Sequence, residues 1–248
     1  GKNTTFAVVE SLSGWWELAG VDSAVQEKTL DLLERDAVVS SPTMPTLSNT
    51  EKKQAELAAV PATMWPSDIA TLRQMVANGS PLPGNAYGPI RLPPIGPDSC
   101  DVMVISDLPD ILDRHDMNMS ANGTLLRRMF AAIGIETAHC YCTWLATSMP
   151  STGEVPENDL PDLAAFMLHQ IRLIRPKSLV ILGSAASKAL LGEELMQSRA
   201  ELRYVHEDGF NLPTLVTFHP RTLIARPAMK KQAWRDLQIF AKEVVQCA

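Results

Sequence analysis

The chain has 248 residues, 46% apolar and 20% charged, which excludes wholesale disorder and supplies enough apolar side chains for a sizeable core. No run of about 18 apolar residues occurs, and no basic stretch leads into an apolar one at the start, so neither a membrane span nor a secretory leader is expected. The formal net charge of −6, taken alone, speaks against a nucleic-acid binder, and four cysteines (Cys100, Cys140, Cys142, Cys247) match neither a disulfide framework nor a metal-spacing pattern, so a reduced, cytoplasmic setting fits.

Residues 3–37 read as helical: Leu12, Trp15, Trp16 and Ala19 recur at helical spacing, Gly20 interrupts, and Ser23 caps a second stretch carrying Val25, Leu30, Leu32 and Leu33. Residues 40–66 form a loose segment with Pro42, Pro45, Pro61 and Pro66, and 51–59 read as a short helix inside it. Residues 68–77 form another predicted helix. Residues 80–97 hold six prolines and three glycines and read as loop.

From Cys100 the pattern changes. Asp101-Val102-Met103-Val104-Ile105 is a short apolar run, the mark of a strand buried on both faces. Residues 123–133 form a helix with Leu125, Leu126, Met129, Phe130 and Ile133 on one stripe. Residues 139–145 are strand-like, 163–174 a helix, 178–182 a third strand, 185–191 a helix, 215–218 a fourth strand and 228–245 a long last helix. Strands alternating with helices predict an α/β fold, three layers α/β/α around a central four-stranded parallel sheet. Three segments follow: an N-terminal helical extension (1–40), a proline-containing linker (41–66) and the α/β domain (67–248).

Parallel sheets take ligands beyond the carboxyl ends of their strands. That puts function in residues 106–110, 143–150, 183–186 and 219–221. Asp107 in the first of these suits water activation or cation binding, and equally a turn cap. His219 suits donation to a developing anion, with Arg221 beside it for a phosphate, and equally packing under the last helix. Gly183-Ser184-Ala185-Ala186 opens a helix with small residues but lacks the Lys-Ser/Thr pair of a phosphate loop, so close helix–sheet packing accounts for it better. Cys140 and Cys142 point to one face of a strand and His139 to the other, which makes a poor metal site. Trp144 and Trp234 suit base stacking or core packing. Charge is also uneven: residues 1–60 hold 9 acidic and 5 basic side chains, whereas 219–242 hold 6 basic and 1 acidic. A local basic face beside His219 can therefore meet a polyanion despite the net charge.

Ser106-Asp107-Leu108-Pro109-Asp110, Gly123-Thr124-Leu125-Leu126, the run Arg175-Pro176-Lys177 through Ala186, Thr217-Phe218-His219-Pro220 and Ala233-Trp234-Arg235-Asp236-Leu237 follow one another, over about residues 66–248, in an order that resembles the uracil-DNA glycosylase superfamily, especially its bacterial iron–sulfur branch. The first of these stands where that family has Gly-Glu-Ala-Pro-Gly. The resemblance implies a glycosylase that flips a damaged base out of DNA. It assigns catalysis to Asp107 and His219, the base pocket to Ser106, Leu108, Pro109, Asn118 and Trp144, and DNA contacts to Arg221, Thr222, Leu223, Arg226 and Lys230. The departures are as informative. Asp107 is one methylene shorter than Glu, and Trp144, at the position of a base-reading Asn, offers one donor and no acceptor. The cluster cysteines are missing: residues 78–83 cover the first pair, Ser148 the third, and the helix near Ala165 lacks the fourth. No iron–sulfur cluster, other cofactor or metal is therefore expected. DNA is the expected partner, with the N-terminal helices free to dock a protein. The competing reading is a catalytically inactive relative that serves as a DNA-binding or protein-interaction module; an unrelated hydrolase on the same sheet is a third.

Overall fold

The computed structural model describes residues 65–110, 120–207 and 209–245. The expected N-terminal extension, nearly all of the linker and Asn118 lie outside them.

The apolar runs become strands because both of their faces are covered. β1 (Val102–Ser106), β2 (Tyr141–Trp144), β3 (Ser178–Leu182), β4 (Arg203–Glu207) and β5 (Phe210–Thr217) form one sheet in the order β2-β1-β3-β5-β4. Side chains alternate across it. Val104, Val180, Leu182 and Leu215 enter one core, whereas Met103, Ile105, Leu179, Ile181 and Val216 enter the other. The first core is closed by α2 (Ala121–Ala131), α6 (Pro220–Ala225) and α7 (Lys230–Phe240); the second by α3 (Leu160–Ile174) and α4 (Ser184–Leu191), with the short α5 (Leu195–Ser198) following α4. α1 (Ile69–Ala77) packs outside, its Leu72 and Val76 against Phe166 of α3. The three-layer α/β/α architecture is as expected.

Four strands run parallel and β4 adds a fifth, antiparallel edge. Sequence reading missed β4 and started β5 five residues late. Pro213 weakens the strand signal in this stretch, since proline cannot donate to a ladder. The structure accommodates it because pairing with β3 begins only at Thr214; Pro213 faces Tyr204 of the edge strand alone. The signal was present in Asp208-Gly209, the dipeptide of a tight hairpin, with Gly209 at φ +81°. The last helix is shorter than expected. A 3₁₀ turn at Pro227–Met229 precedes α7, and a wider π-type turn at Ala241–Val245 follows it.

Local chemistry sets the helix ends. Asp68 and Ser120 accept the Thr71 and Gly123 N–H groups at 2.8 Å and so start α1 and α2. Pro161 sits in the first turn of α3, and Arg175, followed by a proline, ends it in the left-handed region at φ 52°. The proline-rich stretch 80–97 is held as ordered loop by Arg73, which donates to the carbonyls of Pro94 (3.0 Å) and Gly96 (2.6 Å), pairs with Asp98 at 2.6 Å and lies over the Tyr141 ring. Among the described residues no helix is long and apolar enough to cross a membrane.

Candidate active site at the carboxyl ends of the strands

Asp107 leaves β1 and turns toward α4. Its Oδ1 accepts the Ala186 N–H at 2.7 Å, and the N–H groups of Ala185 and Ser184 also face the carboxylate. The helix N-terminus therefore binds an anion, but the anion is the protein's own side chain rather than a phosphate. Burial pushes the Asp107 carboxyl above the usual carboxylate range, opposed by those three N–H groups and by the Arg221 guanidinium. Gly183 makes the approach feasible. It sits at φ +124°, and a Cβ there would come within 2.6 Å of both carboxylate oxygens. Gly183→Ala is accordingly expected to lose about 1–3 kcal/mol through backbone strain, read from the urea midpoint, and to displace Asp107.

His219 follows β5 and caps α6. Its Nδ1 accepts the Arg221 N–H at 3.1 Å, which leaves Nε2–H as the donor of the neutral ring. Burial, reinforced by the Arg221 guanidinium, pushes the imidazole down to about 4 against a smaller opposing pull from Asp110. The ring is thus a neutral donor at physiological pH.

Asp107 and His219 line the same cleft of about 390 Å³, together with Leu108, Gly183, Ser184, Arg221 and Thr222. This lies in the roughly 300–1,000 Å³ range of small-molecule sites. One rim is acidic: Glu154, Glu157 and Glu194 border it, with Lys188 held between Glu157 (2.8 Å) and Glu194 (3.4 Å). On the other side of His219 lies a recess of only about 20 Å³, walled by Ser106, Leu108, Asp110, Asn122, Trp144 and Pro220. Ser106, Leu108 and Trp144 are buried in its wall, which leaves space for about one water; Pro109 is buried but does not line it. Asn122 donates to Asp110 at 2.7 Å and ties the β1 loop to α2. Sequence reading named neither this tie nor the Lys188 pair.

The expected DNA contacts divide. Arg221 and Arg226 are exposed and Thr222 is half-buried, but Leu223 and Lys230 are buried, correcting their assignment to a contact surface. Leu223 packs in the core between α6 and the sheet, and the exposed apolar residue is its neighbour Ile224. Lys231 and Arg235 are exposed on α7.

A family model of the uracil DNA glycosylase superfamily matches residues 93–238, more than half of the chain. The chain belongs to the uracil-DNA glycosylase superfamily. A relative from Pyrobaculum aerophilum described as a Type-4 uracil-DNA glycosylase is 23% identical over 184 residues, covering 70% of this chain and 93% of the relative.

Within this superfamily member, the residues at the cluster positions do not fit an iron–sulfur cluster. Ser148 lies against the chain just after residues 78–83, and the donors there are oxygens and amides engaged with each other. Ser148 Oγ donates to the Gly84 carbonyl at 2.9 Å and accepts the Tyr87 N–H at 2.9 Å. Thr147 donates to Asn85 Oδ1 at 3.0 Å, and Asn85 donates to the Ser80 carbonyl at 2.8 Å. Among the described residues the thiols lie elsewhere. Cys100 and Cys140 border a groove of about 650 Å³ at the amino ends of the strands, and burial pushes the Cys140 thiol up to about 12, away from the thiolate a metal needs.

Proposed function

We propose that the chain hydrolyses the N-glycosidic bond of a damaged base flipped from DNA, with its reacting groups in the Asp107–His219 cleft. One observation carries this: the two candidate catalytic side chains, from opposite ends of the domain sequence, border one cleft at the carboxyl ends of β1 and β5. In the step, water adds to the sugar C1′ as the C1′–N bond breaks, and the bond's electron pair leaves with the base. His219 Nε2–H donates to the charge developing on that base. The Asp107 carboxylate, fixed by the α4 N-terminus, orients the water and takes its proton. The duplex runs over the α6–α7 layer, where Arg221, Arg226, Lys231 and Arg235 are exposed, because the opposite rim with Glu154, Glu157 and Glu194 repels phosphate. A cytoplasmic setting and a docking role for the N-terminal extension belong to the same proposal.

The near-closed recess beside Trp144 favours a second reading, an inactive DNA-binding relative. A panel of single-stranded and duplex oligonucleotides carrying uracil, hypoxanthine, xanthine or an alkylated base separates the two. Alkali-labile abasic product from at least one substrate, reduced at least tenfold in Asp107→Asn, is the expected result. No product from any substrate overturns the catalytic reading. Salt-dependent DNA binding that weakens on charge reversal at Arg221 and Arg226 then supports the binding module.

A further inference from the structure

The recess at the carboxyl ends of β1 and β2 is built like a ligand site but is filled from within. Trp144 is the last residue of β2 and lies in register with Ser106 of β1, so its side chain stands at the position where a parallel sheet presents residues to ligands. Ser106, Asp110, Asn122 and His219 border this space of about 20 Å³ together with Leu108, Gly123, Leu126 and Pro220. The indole is buried, 4% exposed, and forms the bulky wall of that space. A fused bicycle matches a purine in size. Truncating it to a methyl group vacates room for a six-membered pyrimidine ring beside the His219 imidazole.

We infer that Trp144 is a specificity-determining residue whose indole occupies the base recess in place of a base. The wild-type chain therefore excludes uracil from contact with Ser106, Asp110 and Asn122, and any base it accepts is confined to the outer cleft bordered by Asp107, His219 and Arg221. Beside apolar Leu108, Leu126 and Pro220, Trp144 borders the polar side chains of Ser106, Asp110, Asn122 and His219, and His219 also borders the outer cleft. The activity arm of the test rests on the proposed glycosylase reading; the binding arm does not.

The test uses the full chain as wild type, Trp144→Ala and Trp144→Phe, with free indole and free uracil as probes. Millimolar indole is expected to raise the melting temperature of Trp144→Ala by several degrees and to leave wild type unchanged, with uracil behaving likewise but more weakly. In the activity arm, Trp144→Ala is expected to release uracil from a single-stranded oligonucleotide at least tenfold faster than wild type. A folded Trp144→Ala that binds neither probe overturns the inference, as does a wild type that already releases uracil at the variant's rate. Should Trp144→Ala not fold, the indole N–H resonance of Trp144 in wild type decides. Its insensitivity to added uracil supports the plug, and a shift overturns it. A variant that binds the probes while no form of the protein releases any base would retain the plug and reject the glycosylase proposal alone.

Discussion

Replacing His219 by alanine is expected to lower base release by about 10²–10³-fold, the usual loss when one donor to a developing anion is removed. The abasic-site assay on whichever oligonucleotide wild type accepts measures it. His219→Gln, which restores an N–H donor, is expected to recover part of the rate. The pH profile is the sharper readout. The imidazole is pushed down to about 4 by burial and by Arg221, so it is already neutral at pH 5, and no inflection near the ordinary imidazole value of about 6.5 is expected in the rate. An inflection near 6.5 that disappears in His219→Ala would mean that the imidazolium donates and would overturn the neutral-donor role. Stability carries the opposite side of the same shift. Between about 6.5 and 4 the unfolded chain binds a proton that the folded chain does not, so folding stability falls as pH drops through that window. His219→Gln should flatten this part of the profile.

The largest stability effect is expected from Asp236→Ala, at about 3–5 kcal/mol, the range for removing one partner of a buried ion pair. Asp236 lies on α7 with its side chain fully buried. Arg199 reaches it with Nη2 at 2.9 Å and Nε at 3.2 Å, and the Thr217 hydroxyl donates to it at 2.8 Å. Arg199 also lies over the Phe218 ring, 4.9 Å from its centre. One carboxylate thus ties the last helix to the end of β5, immediately before His219. Its loss leaves a guanidinium with little solvent and no counter-charge. A drop in the urea midpoint at unchanged slope would register it. Midpoints within about 0.5 kcal/mol of wild type, the range of ordinary surface substitutions, would show that the network carries no stability.

The motif Ala233-Trp234-Arg235-Asp236-Leu237 was legible as a family signature, but its purpose was not. The partners of Asp236 lie 37 and 19 residues away, and nothing in local spacing names them. The same distance hid the state of Asp107. Its position after β1 was legible; that its Oδ1 would accept an N–H 79 residues on was not. Gly183 read as a packing glycine, and the structure gives the reason as the carboxylate that any Cβ would strike. The resemblance placed Leu223 and Lys230 on the DNA side, whereas Leu223 on α6 and Lys230 at the start of α7 are both buried.

By itself the sequence determined the order of the four parallel strands, the three-layer architecture and the four loops where a ligand site is expected. A strand covered on both faces must be a short apolar run, and a parallel sheet must gather its functional loops at one end. Only the tertiary structure decided what those loops do. Whether Asp107 meets a helix terminus, whether Trp144 leaves room for a base, and whether a cation reaches solvent depend on contacts between residues tens of positions apart, and such contacts have no period to read.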